Sequence, residues 1–155
     1  MRLGLSSFIY RYAVRGSSGG TAKPLTAVDL LERAAALGLE AVQFCENLPL
    51  APLTREEREA VLQASRRLRV GIEVGTRGLN VGVLLSHVDL AAVAGSRVLR
   101  LVLDSTDLDA ISEALRPVLK RCREREVMLA IENHFDLRTC ELVELIRRLD
   151  DRWLW

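Results

Sequence analysis

Five short apolar runs recur along the chain, and each is followed by a longer stretch of helical periodicity. The runs are LGLS (3–6), AVQF (41–44), VGIEV (70–74), RVLRLVLD (97–104) and VMLAIEN (127–133). Strands separated by helices cannot pair as tight hairpins, so this alternation predicts parallel pairing through right-handed crossovers. A doubly wound sheet and a (β/α) barrel both satisfy it, and periodicity alone does not separate them.

The helical stretches carry their own start and stop signals. Thr26 with Asp29, and Thr54 with Glu57, have the spacing of capping boxes, and Asp107 can cap a helix over 108–125. Gly38 supplies a C-terminal stop. Inward faces are expected at Val28, Leu31 and Ala35, then at Val61, Leu62, Ser65 and Leu68. They continue at Ile111, Leu115, Val118 and Cys122, and at Leu142, Ile146 and Leu149 of a helix over 139–149. A further helix is read over 82–94. Pro117 falls inside the 108–125 helix and predicts a kink or local break. Gly75–Gly78 is read as the loop that ends the third strand. Residues 15–24, RGSSGGTAKP, are read as a flexible loop. Its GSSGG (16–20) lacks the Lys-Ser/Thr ending of a phosphate loop and is taken as a solvated linker.

Composition narrows the function. At 155 residues the chain suits a single domain. Its 22 basic and 21 acidic residues are well mixed and leave a net charge of +1, without the basic stripe of a nucleic-acid binder. No apolar run approaches the roughly 18 residues that span a bilayer, and the N-terminus lacks a signal-peptide pattern. Cys45, Cys122 and Cys140 are odd in number and widely spaced, so they fit neither a disulfide framework nor a zinc knuckle. They read as small hydrophobes in a reduced cytoplasmic compartment.

The wording of the strand ends chooses between the two architectures. VQFCENLPL (42–50), IEVGTRGL (72–79), RVLRLVLD (97–104) and LAIENH (129–134) resemble the sugar phosphate isomerase/epimerase family, the xylose-isomerase-like TIM-barrel group. The resemblance is collinear from Met1 to about Asp150. It implies an α/β fold, a partial (β/α)8 TIM barrel of five consecutive βα units with parallel strand order 1-2-3-4-5. It also implies a divalent metal (Mn, Mg, Co or Zn) at the C-terminal mouth of the barrel. The family's usual ligands are a Glu ending strand five, an Asp ending strand six, a His on strand seven and a Glu on strand eight. Glu132 corresponds to the first, and the other three have no counterpart in this sequence. DDRWLW (150–155) departs from the apolar, Asp-terminated strand expected there. The implied activity is metal-assisted proton transfer on a sugar or sugar phosphate. A non-catalytic barrel fragment and a sugar-acid or inosose dehydratase-type lyase are the alternative expectations.

Strand alternation then sorts the candidate residues. Met128, Ala130, Glu132 and His134 share one face, opposite the apolar Val127, Leu129 and Ile131. Glu132 is the candidate catalytic residue and metal ligand; the competing reading is a strand-end carboxylate held by a buried arginine. His134, Glu73, Arg100 and Gln43 are candidate substrate-binding residues, with a polar barrel layer as the competing reading and a Glu73–Arg100 ion pair expected inside it. Glu46 and Asn47 lie at the top of strand two, where barrel enzymes keep functional groups, with loop capping as the competing reading. Ser6 and Ser7 lack a His–Asp context, so no nucleophile is read there. Five strands of eight leave strands one and five as open edges, with Trp153 and Trp155 exposed beside the second. Self-association through those edges, or dependence on a complementing partner, is the expected consequence.

Overall fold

The computed structural model describes residues 3–14, 23–134 and 136–155, so GSSGG lies outside the described residues. The strands form one five-stranded sheet in the order β1-β2-β3-β4-β5, with β1–β2, β2–β3 and β4–β5 paired in parallel. The chain divides into two compact units, Met1–Gly75 and Thr76–Trp155.

In the first unit, β1 (Gly4–Ser6) is followed by a 3-10 turn (Ser7–Tyr10), a short helix α1 (Arg11–Val14), α2 (Ala27–Ala36), β2 (Ala41–Phe44) and α3 (Arg55–Leu68). Both expected capping boxes form. The Asp29 amide donates to Thr26 Oγ1 at 3.2 Å while the Thr26 amide donates to Asp29 Oδ2 at 2.8 Å. Thr54 and Glu57 repeat the pattern at 3.2 and 2.8 Å. Each box satisfies two backbone donors that the first helical turn would leave without partners. The buried faces differ by a fraction of a turn from expectation. α2 buries Ala27, Leu30, Leu31 and Ala34, and α3 buries Val61 and Ala64. Val28 and Ala35 end up half-buried because Leu30 fills the centre of the stripe.

β3 runs Gly71–Arg77, three residues beyond the expected strand, so Gly75 is part of the strand and not a stop. Thr76 is buried there, which a surface loop would not require.

In the second unit, α4 (Val81–Val93) is capped by Asn80, whose Oδ1 accepts from the Val83 amide at 3.1 Å. Then come β4 (Val98–Val102), α5 (Leu108–Arg125), β5 (Met128–Ile131) and α6 (Thr139–Leu149). Asp107 caps α5 as expected, and Ile111, Leu115, Val118 and Cys122 are fully buried. Pro117 does not interrupt that helix, which is continuous over 18 residues. Pro117 and Glu113 both face solvent, so water can reach the carbonyl that loses its amide partner. On α6 the fully buried residue is Leu145, with Leu142, Ile146 and Leu149 half-buried around it.

The last residues overturn the expectation of an open edge at β5. Leu154 bridges Leu129 in parallel register. The Leu129 amide donates to Trp153 O at 2.8 Å, the Trp155 amide to Leu129 O at 2.8 Å and the Ile131 amide to Trp155 O at 2.7 Å. RWLW thus starts a sixth parallel strand against β5. Leu154 is buried and Trp153 half-buried, while Arg152 and Trp155 stay exposed.

Candidate functional site

Strand pleat places the polar candidates on one face of each unit. In the first, the register aligns Ser6 with Gln43 and Gln43 with Glu73, forming a polar row across three strands. The preceding row on the same face is Gly4, Ala41 and Gly71. The alternate residues Leu5, Val42, Phe44, Ile72 and Val74 are buried on the opposite face.

Gln43 Nε2 donates to Glu73 Oε2 at 3.2 Å. The arginine expected beside Glu73 reaches Glu132 in the second unit. Gln43 Oε1 accepts from Cys45 Sγ at 3.5 Å, which fixes the orientation of the amide. At the top of β2, Ser7 Oγ donates to Asn47 Oδ1 at 2.5 Å and accepts from the Cys45 amide at 3.0 Å. Asn47 Nδ2 donates back to Ser7 O at 3.0 Å. Ser7 and Asn47 therefore tie the ends of β1 and β2 together, the loop-capping role weighed for Asn47.

In the second unit Arg100, on β4, donates through Nε to Glu132 Oε2 just past the end of β5. Arg100 pairs with Ala130 in the strand register, so it reaches Glu132 diagonally. The Glu132 amide donates to Leu101 O at 2.8 Å, which holds this residue against β4 after the strand itself has ended. The hydrogen bond from Arg100 is the main cause of a Glu132 carboxyl held below the usual glutamate range, opposed by partial desolvation and helped by the charges of Arg100 and His134. The arginine side chain is 13% exposed against 39% for the glutamate, so the carboxylate is the accessible end of the pair. The reading of Glu132 as a carboxylate held by an arginine is therefore met in the geometry.

Around this pair, Asp104 lies at the end of β4 beside Gly78. A Cβ on Gly78 would sit 3.2 Å from Asp104 Oδ2, and its φ of +94° is one that glycine adopts without strain. Arg77, closing β3, pairs with Asp136 at 3.5 Å. Neither contact was legible as a motif, since the residues of each are far apart in sequence.

Among the described residues, no group of three or more His, Cys, Asp or Glu side chains could hold a metal ion. Glu132, the ligand position that the resemblance implies toward Mn, Mg, Co or Zn, accepts from Arg100 through Oε2 and has no three-ligand group around it among these residues. The described residues do not fit a metal on their own. Cys45 and Cys122 are buried, and burial pushes the Cys122 thiol up to about 12, as expected of an inert core cysteine. Cys140 is exposed, contrary to the small-hydrophobe reading. No helix among the described residues is long and apolar enough to cross a membrane.

No family model matches the chain. It is 25% identical over 154 residues to 3-oxo-isoapionate decarboxylase of Pectobacterium atrosepticum, an alignment covering 97% of this chain and 55% of that protein. Its fold superposes on a D-tagatose 3-epimerase-like protein with a TM-score of 0.72 and 14% identity, covering 99% of this chain and 63% of the other. A xylose isomerase domain protein from Alicyclobacillus acidocaldarius gives a TM-score of 0.66 at 14% identity, covering 99% of this chain and 61% of the other. The chain thus spans about half the length of the curated relative it matches. The fold is the partial TIM barrel that the strand ends implied.

Proposed function

We propose that this chain forms the first five βα units of a sugar-processing enzyme that builds negative charge next to a sugar carbonyl. The observation that carries the reading is the Arg100–Glu132 pair, made between an arginine inside β4 and a carboxylate just past the end of β5. In barrel enzymes of this architecture that end of the sheet is where catalysis takes place.

The pair assigns roles within this chain. The hydrogen bond from Arg100 lowers the Glu132 carboxyl, which makes it a weaker proton acceptor. Glu132 is therefore proposed as an anion that binds and orients, not as the base. His134, two residues on and close enough for its charge to act on Glu132, is the candidate for moving the proton. No step is assigned to a metal.

Two reactions share this requirement. Epimerisation or isomerisation removes a proton beside the carbonyl, and decarboxylation of a 3-oxo acid removes carbon dioxide from the same kind of position. Both leave an enolate. The epimerase-like and isomerase-domain neighbours favour the first, and the decarboxylase relative favours the second. The proposed partner is a small sugar or sugar phosphate. Self-association is proposed through the β1 edge only, since the tail covers β5.

The experiment is proton NMR in deuterium oxide with a ketohexose, alongside carbon dioxide release from a 3-oxo sugar acid. Loss of the proton signal beside the carbonyl is expected, with at least a tenfold slower rate in Glu132→Gln. Neither exchange nor carbon dioxide release would leave the chain as a non-catalytic barrel segment.

A further inference from the structure

The row Ser6–Gln43–Glu73 has more built into it than a barrel layer needs. A closed-barrel interior is normally filled by bulky branched side chains. Here the neighbouring row on the same face is Gly4, Ala41 and Gly71, which supplies almost no side-chain volume. The result is a cavity of about 310 Å³ lined by Gly4, Leu5, Ser6, Ala41, Gln43 and Glu73. Gly4 and Ala41 form its floor and the Ser6–Gln43–Glu73 row its polar wall.

The wall has a definite chemistry. It presents a hydroxyl, a carboxamide and a carboxylate on adjacent strands, about 4.8 Å apart. The amide is oriented by two hydrogen bonds, from Cys45 and to Glu73. Glu73 uses Oε2 for that contact, and a carboxylate retains further lone-pair sites for donors. Among the described residues, no cationic side chain lines the cavity. A phosphate or carboxylate placed here would meet the Glu73 charge without compensation, whereas sugar hydroxyls both donate and accept. The bare floor also lets C–H groups of a sugar lie against the backbone.

We infer that the Ser6–Gln43–Glu73 row is a subsite for the uncharged, hydroxyl-bearing end of a sugar and turns away anionic groups. This rests on the sugar-processing reading.

The test follows the Gln43 side-chain amide by NMR in the 15N-labelled chain, titrated separately with D-fructose and with inorganic phosphate. The expected result is a saturable shift of the Gln43 amide with fructose, none with phosphate, and about tenfold weaker fructose binding in Glu73→Gln. Ala41→Val, which fills the floor and leaves the wall intact, is expected to weaken it similarly. A saturable phosphate shift at Gln43 would overturn the inference. So would fructose binding that moves other residues and leaves Gln43 unmoved, or no response to fructose at all. Deuterium exchange persisting in any of those cases would leave the proposed function standing and remove only the subsite.

Discussion

The two terminal strands of the sheet are finished in different ways. β1 is three residues long and, among the described residues, has β2 as its one strand neighbour. β5 has β4 on one side and the Trp153–Trp155 tail on the other. The difference follows from local chemistry. Gly4 and Leu3 are exposed, whereas Leu129 and Leu154 are buried against each other's backbone. A strand with neighbours on both sides can hold the residue that follows it in a fixed place. The charged pair is anchored at β5, and the open cavity lies beside β1.

Removing Trp153–Trp155 would make the β5 edge resemble that of β1. Three backbone hydrogen bonds and the burial of Leu154 are lost, an expected cost on the order of 4 kcal/mol. Hydrogen exchange at the Leu129 and Ile131 amides is the readout. Unchanged protection would mean that the tail does not act as a strand.

Gly4→Ala attacks the other edge. An added Cβ would lie 2.9 Å from Ala41 O and 3.2 Å from Ala41 Cβ, so β1 must move away from its neighbour. A loss of about 2 kcal/mol in urea denaturation is expected. A neutral result would show that β1 is held too loosely to define the cavity.

A smaller effect, about 1 kcal/mol, is expected for Glu132→Gln, because the pair is partly solvent-screened. Its pH dependence has a definite sign. A carboxyl depressed in the folded state adds stability above its unfolded pKa, and that stability is lost as pH falls through the lower folded value. The acid-side loss of stability attributable to Glu132 should be absent from the glutamine variant, as read by thermal unfolding across pH.

The alternation of strands and helices was legible because caps and periodicity are local signals, and Thr26, Thr54 and Asp107 each mark a helix start by their own side chains. Faces were less legible. A stripe read from Val28 and Ala35 shifts once Leu30 fills the core, which is a tertiary choice. The sixth-strand start was not legible in RWLW, since a three-residue run after DDR has no period to read. Glu132 was found from its place at a strand end; Arg100 was singled out as a charge inside a strand, but with Glu73 and not Glu132 as its expected partner. Ser6 was set aside as a nucleophile and returns as a wall of the cavity. Only the parallel register reveals that role, by aligning it with Gln43 and Glu73.

The most direct measurement is a carbon-13 NMR titration of the Glu132 carboxyl in the wild-type chain and in Arg100→Met. If Arg100 holds Glu132 as an anion at the end of β5, the wild-type carboxyl titrates below the usual glutamate range and rises toward it in the variant. A wild-type value within or above that range, or one unmoved by the loss of Arg100, would contradict the assignment of Glu132 as a clamped, substrate-orienting anion.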